Sequence, residues 1–391
     1  MTLIAANYAL IAIIASAVAI LCVPQLRRRS GYLVLSLLVA SVAYRHQFFG
    51  YLLWIGLLFA FARVIDRVTL GAGKVAKQRW TYACAGMIAV IAIFFAGSVH
   101  LLDRVSIRAF GVLWTLPDHD MWLLLRSISF LWEFGSGRVK KLVFVDYLIW
   151  ITFPFTLLGP LIRPSEFFPQ YSRSSPQQAP SKVLDGNWYR KVTLAIAQML
   201  AALILARADT ALSNMGSHWP KFFVVFGTGP WGMYLSSAGL FHLMEALAMF
   251  WAIELPPSFN YPFGQVNVSE FWARWNMTIV RVCRDYLFYN RWGFKRVNIY
   301  LNLLVVFLAV GLWHSIGWYW AIWGLLHGLG FCVFTWYRSN KEKFTKVQRI
   351  GSPRIRELLS RVTTYVFVCV VNYFAAKLAL AVTHSKGAKL S

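Results

Sequence analysis

Runs of apolar residues long enough to cross a bilayer, each stopped by a cluster of Lys or Arg, constrain this chain most. The first run extends from about Leu3 to Leu26 and stops at Arg27-Arg28-Arg29. A transmembrane helix needs about 20 mainly apolar residues. Within lipid, only helices and closed barrels satisfy their own backbone. The chain's 391 residues are 58% hydrophobic and 14% charged, whereas soluble domains carry about 25% charged residues. A soluble globule is excluded on that ground. An aromatic content of 17% excludes a disordered chain, which is poor in such residues.

The formal net charge is +24, a value that suggests nucleic acid at first sight. Here, however, the basic residues punctuate apolar runs instead of clustering on a polar domain, so no nucleic-acid partner is expected. Cytoplasmic loops of membrane proteins concentrate Lys and Arg in this way. The cysteines Cys22, Cys84, Cys283, Cys332 and Cys369 are scattered, without a C-x-x-C pair. They read as small apolar side chains, not as a metal site or a disulfide framework. Met1–Leu10 lacks a basic leader region and the apolar run continues to Val23, so the first span reads as retained.

Along the chain, Tyr32 to Ala62 is interrupted at Arg45-His46 and predicts a hairpin of two short helices. A basic segment from Arg63 to Arg79 follows, then a clear span from Trp80 to Leu102 and a short one from Met121 to Phe134. Leu142 to Ile162 is apolar but contains Phe153-Pro154 and Gly159-Pro160, which predicts a kinked or re-entrant segment buried in protein. Arg163 to Arg190 reads as a loop. Further spans are expected at Val192–Leu212, within Phe222–Ile253, at Ile299–Trp313, at Trp318–Trp336 and at Val362–Val382. The total is roughly ten to twelve membrane segments, in one continuous all-α polytopic domain over residues 1–391. If Arg27–Arg29 lies inside, every later basic cluster falls on the same face, with the N-terminus outside.

Two segments combine polar residues with an aromatic, membrane-depth setting. One is Phe271-Trp-Ala-Arg-Trp-Asn-Met through Arg284-Asp285-Tyr286; the other is Gly311-Leu-Trp-His-Ser315, followed by Trp323-Gly-Leu-Leu-His-Gly328. An ionisable residue at such depth is costly and marks function by default. His314 closes an apolar helix, and an apolar setting favours the uncharged imidazole that a general base requires. Its plainer reading is a histidine pinning two helices, and for His327, mid-helix beside Gly328, that reading is the stronger. Asn276 carries an amide able to donate to an oxyanion or orient an imidazole. Arg274, Arg281 and Arg284 fall at i, i+7 and i+10, one cationic helical face on that spacing, with Asp285 placed to pair with Arg281. That face reads either as a cytoplasmic anchor or as a site for phosphate-bearing groups.

These motifs, in this order, are similar to the signature of the membrane-bound O-acyltransferases, the MBOAT family. The segment Phe153-Pro154 to Arg163 with Glu166-Phe-Phe-Pro-Gln170 resembles its bacterial branch, which includes proteins of alginate O-acetylation and of teichoic acid D-alanyl transfer. The likeness covers residues 145–340 well, and the N-terminal spans (1–134) and final span (362–382) in kind only. It implies a ring of about 11 transmembrane or re-entrant helices around a central funnel or tunnel. His314 matches the family's near-invariant histidine. Asn276 stands where bacterial relatives often carry a second histidine, which fits an orienting or oxyanion role better than a proton-carrying one. Ser315 replaces the usual glycine after the histidine.

The resemblance implies acyl transfer from a cytoplasmic thioester, an acyl carrier protein's phosphopantetheine or acetyl-CoA, to a hydroxyl on an extracytoplasmic envelope polymer or relay protein. His314 and Asn276 would be catalytic, and Arg274, Trp275, Arg281, Arg284, Asp285, Trp313 and Ser315 would bind donor or substrate, with His327 secondary. No metal and no tightly bound cofactor are expected. The chain's length leans toward the D-alanyl-type branch over the acetyl type. Two competing readings are a flippase for an anionic lipid-linked substrate and a non-catalytic scaffold of a glycan-modifying complex. A flippase of that kind calls for two related halves, and no internal repeat is visible.

Overall fold

The computed structural model describes residues 3–69, 71–97, 107–109, 112–114, 121–139, 143–173, 186–215, 222–289, 298–314, 317–344 and 352–387. Among them helices dominate, as the all-α expectation requires, with irregular connections and one short antiparallel pair, β1 (Ile107–Ala109) and β2 (Val112–Trp114). Two compact units are present: Met1–Thr193 with Phe241–Pro256, and Leu194–Leu240 with Pro257–Ser391.

The first unit begins with α1 (Leu3–Cys22), α2 (Arg29–Tyr44) and α3 (Phe48–Val68). The expected hairpin is present. α2 stops at Tyr44 because Arg45 turns to a positive φ of 45°, and a 3-10 turn over Arg45–Gln47 leads into α3. α4 (Gly73–Gly97) starts seven residues ahead of the expected Trp80, and α5 spans Met121–Gly135. The stretch from 98 to 102 lies outside the described residues.

The kinked segment is also present. α6 (Phe144–Ile151) ends at Thr152, a 3-10 turn covers Pro154–Thr156, and irregular backbone follows to α7 (Pro164–Arg173). A helix that stops inside protein leaves carbonyls without intrahelical partners. Here the Ile151 carbonyl accepts from Arg126 Nη1 at 2.8 Å and from the Tyr51 hydroxyl at 3.1 Å. Trp150 Nε1 donates to the Ile162 carbonyl at 3.1 Å, so the broken backbone is tied across the gap. Phe153, Phe155, Phe167 and Trp251 pack edge-to-face around it and are all buried. Glu133, fully buried, accepts from the Ser165 backbone N–H at 2.9 Å and from Arg138 at 3.1 Å. Glu166 in the first turn of α7, with the Glu133 carboxylate set against that turn, complements the helix dipole.

α8 (Gly186–Ser213) and α9 (Gly229–Phe250, preceded by a π turn at Val224–Thr228) contribute to both units. In the first unit, Lys191 at the start of α8 pairs with Glu245 near the end of α9, and both side chains are nearly inaccessible. The second unit adds the short helices α10 (Val268–Trp272) and α11 (Met277–Val282), a π turn at Cys283–Phe288, then α12 (Ile299–His314), α13 (Trp318–Ser339) and α14 (Pro353–Gly387).

Among the described residues four helices are long and apolar enough to cross a membrane: Phe48–Val68, Gly186–Leu212, Val224–Phe250 and Pro353–Leu378. Shorter apolar helices cover Tyr8–Cys22, Arg29–Tyr44 and Ile299–His314. Large apolar side chains such as Ile11, Leu57, Leu203, Ile204 and Val305 stand exposed along these rods, as helices facing lipid require.

α12 and α13 form the tightest helix pair of the second unit, and glycines explain how. A Cβ on Gly311 would fall 2.2 Å from the Trp320 carbonyl oxygen, and one on Gly324 would fall 2.5 Å from that of Phe307. Small residues at such positions let two backbones touch, the usual means of helix association where lipid removes the hydrophobic drive. α14 begins nine residues before the expected span. Pro353 occupies its first position, where a missing N–H costs nothing.

Candidate functional site

The second unit holds both motif segments. Asn276 opens α11 in the left-handed conformation, φ 42° and ψ 58°, a region that asparagine enters more readily than other non-glycine residues. Its carbonyl accepts the first two helical bonds, from Ile279 and Val280. The flanking backbone is clamped from outside: Met277 N–H donates to the Ser258 carbonyl at 2.7 Å, and Asn260 N–H to the Arg274 carbonyl at 3.0 Å. The Thr278 hydroxyl donates to Asn276 Oδ1 at 3.1 Å. With Oδ1 engaged, the amide nitrogen, which has no partner among the described residues, can only donate.

That left-handed residue overturns the expected cationic face. Arg274 precedes the break at Asn276, so it shares no helix with Arg281 in α11 or with Arg284 in the π turn. Asp285 accepts from its neighbour Arg284 at 2.8 Å. Arg284 is exposed, whereas Arg274 and Arg281 are half-buried. Trp275 packs among Phe271, Phe259, Phe263 and Tyr234 at centroid distances from 5.5 to 6.0 Å. It anchors the short helices from within an aromatic core.

His314 is the last residue of α12 and is exposed. Its ring lies parallel to the Trp320 indole, with centroids 4.4 Å apart and planes inclined by 14°. Trp313 stands beside it at 4.7 Å and 57°, and Trp323 meets it edge-on at 5.7 Å and 79°. Trp323 is buried and donates through Nε1 to Asn372 Oδ1 on α14 at 2.8 Å. Ser315 lies outside the described residues.

His327 is placed differently. It is fully buried, enclosed by Trp323 at 4.5 Å, Trp272 at 5.0 Å, Phe367 at 5.6 Å and Phe307 at 6.3 Å. Neither ring nitrogen has a hydrogen-bond partner among the described residues. Four rings thus enclose this histidine in an aromatic box. It presents no surface to a reactant, while His314 does. The rings Trp272, Trp323 and His314 form a chain that ties the Asn276 segment to the end of α12.

Trp320 and Asn372 carry no signal in the sequence motifs, and Trp272 and Thr278 lie within the Phe271–Tyr286 segment without a role assigned to them there. Trp320 sits in the run Trp318-Tyr319-Trp320 after Gly317, an aromatic cluster whose meaning emerges only when the Gly311 contact folds it back onto α12.

Over 211 residues the chain is 29% identical to a peptidoglycan O-acetyltransferase of Helicobacter pylori, covering 51% of this chain and 39% of that protein. It is 25% identical over 242 residues to a teichoic acid D-alanyltransferase of Streptococcus thermophilus, covering 56% and 57% of the two. With the "Probable alginate O-acetylase AlgI" of Pseudomonas aeruginosa it is 24% identical over 337 residues, covering 81% and 59%. The chain thus spans between 39% and 59% of the length of these relatives. The family described as MBOAT, membrane-bound O-acyltransferase, matches residues 114–378, a stretch that includes Asn276, His314 and the whole of the α12–α13 pair, and the chain belongs to that family.

Proposed function

We propose that this chain transfers an acyl group from a thioester to a hydroxyl inside the membrane, with His314 as general base. The observation that carries the reading is the contrast between His314 and His327, which both lie in the family-matched segment and in its motif-bearing helix pair. His314 is exposed at a helix end with its ring plane fixed, and His327 is sealed.

The reaction balances without a resident cofactor. The acceptor hydroxyl gives its proton to His314 as its oxygen forms a bond to the thioester carbonyl carbon. The carbonyl electron pair moves onto oxygen, where the Asn276 amide N–H receives it. Collapse of that intermediate breaks the C–S bond, and the departing thiolate recovers the proton from the imidazolium. A positioned base contributes about 10²–10⁴-fold, and one oxyanion donor about 10²–10³ in kcat. Thr278 supports the oxyanion role because its bond to Oδ1 leaves Asn276 a donor.

Arg281 and exposed Arg284, with Arg274 ahead of them, suit a phosphate-bearing donor: an acyl carrier protein's phosphopantetheine or coenzyme A. Trp313 and Ser315 flank the base, and Trp275 shapes the donor side from its core position. The remaining reading follows from the charge pattern and the family. The whole chain forms one membrane domain, with about 11 segments ringed around a funnel, in the cell membrane in contact with lipid. The basic loops face the cytoplasm and the N-terminus faces outward. An envelope polymer accepts the acyl group, directly or through an extracytoplasmic relay protein. The acyl group is acetyl or D-alanyl, the two classes that the relatives' names carry.

Consumption of an acetyl or D-alanyl thioester of pantetheine, dependent on a hydroxyl acceptor and on the purified chain, tests this reading. Thiol release above a membrane blank supports an enzyme. Its absence with both donors, when the chain is folded and the relay protein and native polymer are supplied, contradicts it and favours a flippase or scaffold.

A further inference from the structure

Among the described residues His314 has three aromatic neighbours, and of these Trp320 alone offers it a face. Trp313 is tilted by 57° and Trp323 presents an edge at 79°, whereas the Trp320 plane is inclined by 14° at 4.4 Å. The seat of that indole is fixed in two ways. The Trp320 backbone abuts α12 so closely that a Cβ on Gly311 would lie 2.2 Å from its carbonyl oxygen. Its ring packs against the buried cluster of Trp323, Val371 and Ala375, with Trp323 at 5.6 Å and 72° and Tyr319 at 4.9 Å and 78°. The indole therefore stands in place before any reactant arrives, while the exposed His314 keeps its other side open.

We infer that Trp320 is a positioning residue for acyl transfer: its indole face holds the His314 ring flat and stabilises the positive charge that ring carries between receiving the acceptor's proton and returning it to the departing thiolate. Stacking constrains both side-chain torsions of the histidine, which aims its nitrogen. A cation over a tryptophan face is attracted by the ring quadrupole, most strongly where water is excluded. The neutral imidazole gains no such attraction. An interaction that strengthens as charge develops raises kcat and leaves substrate binding alone. This role rests on His314 being the base, and on nothing beyond the geometry of these rings.

The test is a graded series at position 320 in the full chain in membranes, using the pantetheine thioester that the wild-type chain consumes. Trp320 is replaced by mono-, di- and trifluorotryptophan, then by Phe and by Leu. Fluorine drains the ring face and keeps its shape, so packing alone is insensitive to it. The expected result is a stepwise fall in kcat, reaching about 3- to 30-fold, with KM constant; Phe falls within the series and Leu below it. A flat fluorine series beside an inactive His314→Ala chain overturns the role of Trp320 and leaves the base assignment standing. An active His314→Ala chain overturns the base assignment itself, and with it this inference.

Discussion

Gly324 of α13 meets the backbone of Phe307 on α12 so closely that a Cβ there would lie 2.5 Å from the Phe307 carbonyl oxygen. Neither partner is a flexible side-chain end, so the clash can be relieved only by moving a helix. Gly324→Ala is expected to cost about 3 kcal/mol, at the upper end for overpacking. It should also shift Trp323, the adjacent residue, off His314. Thermal unfolding in detergent with acyl-transfer assay of the same preparation checks this: stability and rate fall together. Leu325→Ala, on the exposed side of α13, leaves both near wild type.

Asn276 combines a backbone requirement with a side-chain donor, and two substitutions separate them. Asn276→Gly adopts the left-handed conformation freely, so folding is retained while the donor is lost. The expected fall in kcat is about 10²–10³. Asn276→Asp keeps the shape but replaces the donor by an acceptor-only carboxylate, and should be at least as inactive. Thr278→Val, which frees the amide to rotate, lowers kcat by less. Equal rates for wild type and Asn276→Gly would remove Asn276 from the chemistry.

Lys191 and Glu245 pair with side chains only 10% and 1% exposed. A buried pair adds little over apolar residues, but breaking it strands a charge. Glu245→Ala should destabilise the chain by about 3–5 kcal/mol, and Lys191→Met with Glu245→Leu should recover most of that loss. The midpoint of thermal aggregation for the three proteins reports the order directly.

Much of this was legible because charges and prolines interrupt apolar runs. Arg45-His46 announced the α2–α3 turn, and Pro154 with Pro160 announced the buried break after α6. The cationic stripe failed because helical spacing assumes one unbroken helix, and Asn276 at positive φ ends that assumption between Arg274 and Arg281. The early start of α14 was hidden by the basic residues of its first turns, although Pro353 was a valid start signal. His314 could be singled out by type and depth. Its partner Trp320 could not, since their stacking depends on the close approach that Gly311 permits across a turn, which no periodicity encodes.

Acyl transfer by this chain turns on His314 taking the acceptor's proton. The most direct measurement is the rate of acyl transfer to the acceptor hydroxyl by membranes holding equal amounts of wild-type and His314→Ala protein, with His327→Ala beside them. The account predicts a fall of about 10²–10⁴-fold for His314→Ala, while folded His327→Ala protein keeps its rate within tenfold. Transfer by His314→Ala at the wild-type rate would contradict it.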